Sequence, residues 1–138
     1  MKTKSTAILF AIGLGASATT WAGPYDQPYA LFQARAKSAA QDLAPATVMK
    51  VDGQNTKKPG RSDPVPPGKH AIEVSVPGAK GVSNPDRQTL EIDAKPCTRY
   101  FLAAKRSSPT AKDWQAFVER EESIGECKAK FMKDAPKK

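Results

Sequence analysis

The sequence predicts a mainly β protein: a small antiparallel β-sandwich preceded by one N-terminal helix, after a cleaved signal peptide. Three observations lead to this prediction. The chain opens with a short apolar stretch behind two lysines, typical of an export signal. Several short segments of alternating apolar and polar residues are separated by turns rich in proline and glycine. Two cysteines then follow in a chain that export would place in an oxidising compartment.

Residues 1–22 carry the features of a secretory signal peptide. Lys2 and Lys4 form a basic start, residues 6–18 are free of charge, and Thr20-Trp21-Ala22 offers small residues at the positions that a signal peptidase reads. The apolar stretch is too short for a membrane span and contains glycines. We therefore expect cleavage after Ala22 and a periplasmic or secreted protein with no transmembrane span.

Length and charge suggest one domain with a basic end. Cleavage after residue 22 of 138 would leave 116 residues, the length of a single domain. The predicted signal holds two of the 22 basic residues and none of the 14 acidic ones, so the mature net charge would be +6. Residues 128–138 carry +4 of it and residues 23–127 only +2. We expect the segments to be 1–22, 23–45, 46–127 and 128–138, the last being a basic tail.

The basic tail admits two interpretations. It holds Lys128, Lys130, Lys133, Lys137 and Lys138 against one aspartate. Such a segment can contact an anionic surface such as phospholipid or lipopolysaccharide. It can equally be a solvated, frayed terminus. Nucleic acid is not expected as a partner, because an exported protein leaves the compartment that contains it.

Cys97 and Cys127 are the only cysteines. An even number in an exported chain favours one structural disulfide. A redox pair or metal site is a weaker interpretation, because the spacing is far from Cys-x-x-Cys. Pairing between two chains is the remaining alternative.

Residues 23–45 are predicted to contain a helix. Tyr29, Phe32, Ala36, Ala39 and Leu43 recur at helical spacing, and the segment is rich in alanine. A proline ends the pattern at the end of the segment. The helix would pack on its own domain or lie on a membrane or partner through its apolar stripe.

Alternating patterns predict the strands. We expect them at residues 47–51, 70–76, 90–94, 98–106 and 114–119, with loops at 54–68 and 77–86. The strand at 98–106 is apolar on both faces, with Tyr100, Leu102 and Ala104 on one and Phe101 and Ala103 on the other. Such a strand is typical of the centre of a sheet covered on both sides.

The run from residue 46 to 106 resembles the PEGA-type β-domain of cell envelopes. The resemblance rests on Val51-Asp52-Gly53, on the turn and strand at residues 67–74, and on Leu90-Glu91-Ile92. The chain departs from that pattern in the basic, proline-rich stretch 54–66 and in the added segment that holds the cysteines. The resemblance implies a β fold and a non-enzymatic envelope module, and it supplies no catalytic residue.

One sheet face is a candidate binding surface. Phe101 and Phe117 lie on the predicted faces opposite Tyr100 and Trp114, with Arg99 and Lys105 at the edge. Aromatic side chains at this spacing can supply contact area to a partner. The alternative is that they fill the core of a small domain.

No constellation of catalytic residues is visible. His70, the only histidine, has no matching nucleophile motif and no metal-ligand spacing, so it is expected to be structural. The pairs Glu91/Asp93 and Glu121/Glu122 are expected to be ordinary surface charge. No enzyme activity, metal or cofactor is therefore predicted. The expected function is that of a binding or structural module of the bacterial cell envelope with an unknown envelope protein as partner; the alternative is an anionic-surface binder acting through the tail.

Overall fold

A computed structural model describes residues 23–36, 43–76, 86–108 and 113–133. The predicted signal peptide lies outside these ranges, as do Lys137 and Lys138. The elements are β1 (Ala30–Ala34), β2 (Leu43–Pro45), β3 (Thr47–Val51), β4 (Gln54–Asn55), β5 (Gly68–Ser75), β6 (Arg87–Ala94), β7 (Thr98–Arg106), β8 (Trp114–Ser123) and α1 (Gly125–Phe131). The predicted mainly β class is confirmed, and β3, β5, β6, β7 and β8 lie where alternation predicts strands.

The strands form two sheets. Sheet A is built around β7, which pairs with β8 along its whole length. Because a strand has two edges, β1 and β2 lie end to end on the other edge of β7. Sheet B has the order β4-β3-β5-β6. The expected antiparallel arrangement is wrong for one pair, since β1 runs parallel to β7; every other strand pair in the described ranges is antiparallel.

Both sheets contribute to one hydrophobic core. Alternation along β5 directs Ile72 and Val74 inward, and alternation along β7 does the same for Tyr100, Leu102 and Ala104. The buried members of this core are Ala30, Phe32, Ala46, Val48, Ile72, Val74, Val76, Ile92, Ala94, Tyr100, Leu102, Ala104 and Ala116. The prediction that β7 is central is confirmed, because Phe101 and Ala103 on its other face are buried too.

Side chains close the open strand edges of sheet A. The amide of Gln88 on β6 donates to the carbonyl of Trp114 at 2.5 Å and accepts from the N–H of Ala116 at 3.1 Å. This one side chain therefore pairs with the free edge of β8 and links the two sheets. On the opposite side, Ser62 in the proline-rich loop both donates its N–H to the Phe32 carbonyl and accepts the Phe32 N–H.

The helix predicted within residues 23–45 is wrong where the structure describes the segment. β1 and β2 occupy Ala30–Ala34 and Leu43–Pro45, and residues 37–42 lie outside the described ranges. The reason is that Tyr29, Ala30, Leu31 and Phe32 are all buried. A strand sends successive side chains to opposite faces and can bury all four, whereas a helix would bury one stripe.

A second, smaller core joins the two ends of the described chain. Tyr29 and Leu31 meet Ile124 and the disulfide-bonded pair Cys97–Cys127, with Phe131 packed against them. The predicted disulfide is confirmed. The predicted boundary between residues 127 and 128 falls inside α1, so Lys128 and Lys130 belong to a folded helix. In the part of the chain that is described, no helix has the length and apolar character needed to cross a membrane.

The disulfide is predicted to be a main contribution to stability. It closes a loop with a sequence separation of 30, for which chain entropy gives about 3–4 kcal/mol. The double variant C97A/C127A should therefore lose about that free energy of unfolding in urea titrations. Reducing agent should destabilise the wild type and leave the double variant unchanged. Equal stability of the two proteins without reductant would contradict the prediction.

Candidate functional site

The face of sheet A that points away from the shared core carries basic and aromatic side chains. The strand register places Arg99, Phe101 and Lys105 of β7 beside Phe117 and Arg120 of β8. We call this set the basic aromatic face. All four residues predicted for a binding surface, Arg99, Phe101, Lys105 and Phe117, thus lie on one side of one sheet. That they bind a partner remains a prediction.

The two phenylalanines have different environments. Phe101 is only 8% exposed although it belongs to neither core. Its ring is covered by the guanidinium of Arg120, whose central carbon lies 4.2 Å from the ring centroid, a cation–π contact. Phe117 is half-buried and likewise belongs to neither core. Phe117 is therefore the phenylalanine that a partner can reach.

An ion pair crosses this face. Arg35 follows β1 on one edge of β7, where its N–H donates to the carbonyl of Leu102 at 3.0 Å. Its Nε lies 3.3 Å from Oε2 of Glu119, which is on β8 at the opposite edge. The pair therefore spans β7 on its outer side. Ala103, whose side chain is too small to block the crossing, is fully buried there.

A β-bulge makes the crossing feasible. Phe101 pairs with Arg120, but the next residue, Leu102, pairs with Val118. Glu119 is thus the extra residue of β8, and a bulge redirects side chains in this way. The bulge also turns Arg120 to the same side as Phe101, whereas uninterrupted alternation from Phe117 would place it on the core side.

Several cations of the face have no anionic partner. Among the described residues, Arg99, Lys105 and Arg120 form no ion pair. Nε of Arg99 and Nη1 of Arg35 are buried and have no hydrogen-bond partner within those same ranges. Buried polar groups are nearly always hydrogen-bonded. A carboxylate or phosphate can reach the exposed side chains of Lys105 and Arg120, which supply charge-assisted donors.

Sequence reasoning missed Arg35, Glu119 and Arg120. The helical spacing of the apolar residues in segment 23–45 puts Arg35 on a predicted helix. Nothing in the sequence marks it as the residue that continues β1. The side that Arg120 occupies depends on the bulge, which simple alternation from Trp114 does not reveal. The only signal for the bulge is weak: residues 119–122 are all charged, which breaks the apolar alternation with which the strand begins.

A second candidate site is a cleft of about 330 Å³ between the β3–β4 turn and the proline-rich loop. His70 lies at its base and is 9% exposed. Its Nδ1 lies 2.6 Å from Oδ2 of Asp52 and its Nε2 lies 2.7 Å from the carbonyl oxygen of Pro66. Both partners are hydrogen-bond acceptors, so both ring nitrogens of His70 are engaged at short distance.

Asp52 is held in the turn by this contact. It adopts a left-handed conformation with φ of 50°, and its Oδ1 accepts the N–H of Ala71 at 2.9 Å. The hydrogen bond from His70 lowers the pKa of the Asp52 carboxyl below its ordinary value, and the Ala71 N–H lowers it further. The site thus fastens the loop to the hairpin.

No cluster of three or more His, Cys, Asp or Glu side chains within the described ranges could hold a metal ion. Comparison of the chain with protein families, curated proteins and solved structures finds no match.

Alanine substitutions should separate the two phenylalanines. F101A removes a buried ring and its cation–π contact, and should lower the free energy of unfolding by about 3 kcal/mol. F117A truncates a half-exposed ring outside both cores and should cost less than about 1 kcal/mol. Urea unfolding of both variants tests this. Equal losses would show that Phe117 is as much a part of the packed interior as Phe101.

Stability at acid pH should depend on Asp52. Its folded-state pKa is lowered from 3.8, so its contribution is fully present above that value and disappears as the pH falls through the folded-state pKa. D52N should therefore be less stable than wild type at about pH 6, and the difference should shrink as the pH falls through the lowered folded-state pKa. Asparagine adopts the left-handed conformation readily, so D52N removes the charge without straining the turn. D93N, which changes an exposed carboxyl on β6, controls for net charge. A D52N deficit that stays constant with pH would contradict the prediction.

Proposed function

We propose that the chain is an exported, non-enzymatic binding module of the bacterial cell envelope, built as a β-sandwich, that holds an anionic partner on the basic aromatic face. The sequence features behind this proposal are the export signal and the resemblance of residues 46–106 to the PEGA-type envelope domain. The disulfide Cys97–Cys127 is compatible with an oxidising compartment.

One observation carries the binding proposal. Three cations, Arg99, Lys105 and Arg120, lie on the same sheet face as an accessible phenylalanine and have no ion pair among the described residues. The register places Phe117 between Arg120 and Lys105. Arg99 lies farther along β7, opposite Glu122. Arginine and aromatic residues are the types enriched where binding energy concentrates. The outer faces of β7 and β8 are also rigid, because β7 is hydrogen-bonded on both edges. A preformed surface limits the entropy lost on binding.

The non-enzymatic part of the proposal is supported by the contacts of the one histidine. Both ring nitrogens of His70 are engaged, one with Asp52 in the turn and one with the carbonyl of Pro66 in the proline-rich loop. Of the predicted carboxylate pairs, Glu121 is ion-paired with Lys95 at 2.9 Å on the surface. This arrangement favours a structural role over acid–base chemistry.

A second candidate function is contact with an anionic surface through residues 128–138. The observation in its favour is the exposure of Lys128, Lys130 and Lys133 at the end of a helix that is fixed to the body. This function and the first use different residues, so each can fail alone.

The binding proposal is tested by site-specific photo-crosslinking in the producing cells. A crosslinking amino acid at position 117 should capture a defined partner, and one at Glu91, exposed on the outer face of sheet B, should not. The charge reversal R99E/K105E should reduce the yield at least about tenfold, as expected for lost charge-assisted bonds. K57E/K58E makes the same charge change in the proline-rich loop and should leave the yield unchanged.

Capture that is equal from positions 117 and 91, or that survives R99E/K105E, would reject the basic aromatic face as the binding site. R99E also sets a carboxylate directly opposite Glu122, its cross-strand neighbour, which destabilises a sheet. R99Q/K105Q, which removes the two charges and adds none, is therefore made beside it and should also reduce the yield. A yield reduced in R99E/K105E and unchanged in R99Q/K105Q would count against the proposal, because the loss would then follow from the new repulsion.

A further inference from the structure

The exposed apolar side chains of the described chain meet the basic helix. Tyr25 and Met132 are the large hydrophobic residues exposed in those ranges, at 51% and 36%. They belong to opposite ends of the sequence. Nζ of Lys130 donates to the carbonyl of Tyr25 at 2.9 Å and lies 3.4 Å from Oδ1 of Asp26. The N-terminal turn therefore lies alongside α1.

The helix is held in one orientation. Cys127 is buried and Phe131, one turn later, packs against the second core, so this side of α1 faces the body. The disulfide fixes the same side to the start of β7. The residues on the remaining sides, Lys128, Lys130, Met132 and Lys133, are exposed. A frayed tail would not present these side chains together.

The lysines diverge. The ammonium group of Lys128 donates to Oγ of Ser123 at 2.8 Å, and that of Lys130 reaches the N-terminal turn on another side of the helix. A single phosphate needs donors that converge on one point. Positive charge spread around exposed apolar side chains suits an extended anionic surface instead.

Resting on the second candidate function, we propose that Tyr25, Lys128, Lys130, Met132 and Lys133 form a docking surface for a bilayer containing anionic phospholipid. Tyrosine is typical of the membrane–water interface, because its ring is apolar and its hydroxyl polar. Met132 adds a flexible apolar side chain. The ammonium groups of the three lysines then lie near the headgroup phosphates.

Charge complementarity selects an anionic bilayer over a neutral one. Among the acidic residues near this surface, Asp26 is paired with Lys130, Glu121 is paired with Lys95, and Glu126 lies in the first turn of α1. Lys128 and Lys133 are left without a carboxylate partner in the described ranges. Each lysine close to an anionic membrane strengthens binding by about fivefold. The docking is therefore expected to be reversible and sensitive to salt.

The test is sedimentation of the purified disulfide-bonded chain with vesicles of phosphatidylcholine, with or without phosphatidylglycerol. Binding is expected only with phosphatidylglycerol and should weaken as salt increases. K128Q/K133Q should weaken it by about twentyfold. K57Q/K58Q, which removes the same charge from the proline-rich loop, should have little effect. Substitution is preferred to truncation after Cys127, which would also remove Phe131 from the second core.

Y25S/M132S tests the apolar contribution, and should weaken binding several-fold. Because the ring of Tyr25 also packs edge-to-face on Tyr29 of the second core, at a centroid distance of 5.1 Å, M132S is measured beside it and should weaken binding in the same direction without changing the melting temperature. R99E/K105E should bind vesicles as wild type does, which separates this surface from the basic aromatic face. The proposal is overturned if K128Q/K133Q and K57Q/K58Q lose vesicle binding to the same extent, or if the wild type binds neutral and anionic vesicles equally. It is also overturned if Y25S/M132S binds anionic vesicles as tightly as wild type. Binding to lipopolysaccharide micelles without binding to phosphatidylglycerol vesicles would also overturn it.

Discussion

Strand β7 is the constraint on which the rest of the structure depends. It is hydrogen-bonded along both edges, to β8 on one side and to β1 and β2 on the other. It is also buried on both faces from Tyr100 to Ala104. Its inner face supplies the shared core, and its outer face carries the basic aromatic face. A substitution in its centre therefore affects stability and the candidate site together, whereas changes at Arg99, Lys105 or Phe117 affect chiefly the site.

The start of β7 also joins the ends of the described chain. Cys97 donates its N–H to the carbonyl of Tyr29 at 2.8 Å, and its own carbonyl accepts the N–H of Ile124 at 2.9 Å. The disulfide adds a covalent link to α1 at the same residue. These bonds explain how a short helix, which would be marginal alone, becomes part of the domain. They also explain why the lysines of α1 and the N-terminal turn share one surface.

Most strands and the disulfide were predictable, because alternation, turn residues and cysteine count are local properties. The both-sided burial of β7 was likewise readable from Tyr100, Phe101 and their neighbours. The prediction was wrong for the segment around Phe32. Its apolar residues have a spacing compatible with both a helix and a buried strand, and only pairing with β7 selects the strand. Arg120 was missed for a similar reason: its side of β8 is set by a bulge. Alternation alone predicted that Arg99, Lys105 and Phe117 share one face. Their neighbours on that face, Arg35, Glu119 and Arg120, are set by strand pairing and could not be predicted.

The bulge and Ala103 together change what the outer face of sheet A can bind. From alternation alone, Phe101 and Phe117 would present an apolar strip, suited to an apolar partner. In the structure, Arg120 covers the ring of Phe101 and the Arg35–Glu119 pair lies across Ala103. The guanidinium of Arg120 itself lies over that ring, and Nε of Arg99 is buried, so cations replace the apolar strip. Since Arg35 already has a carboxylate and Arg120 and Lys105 do not, the face favours a partner that brings its own carboxylates or phosphates. Such a partner reaches Phe117, which the register places between Arg120 and Lys105.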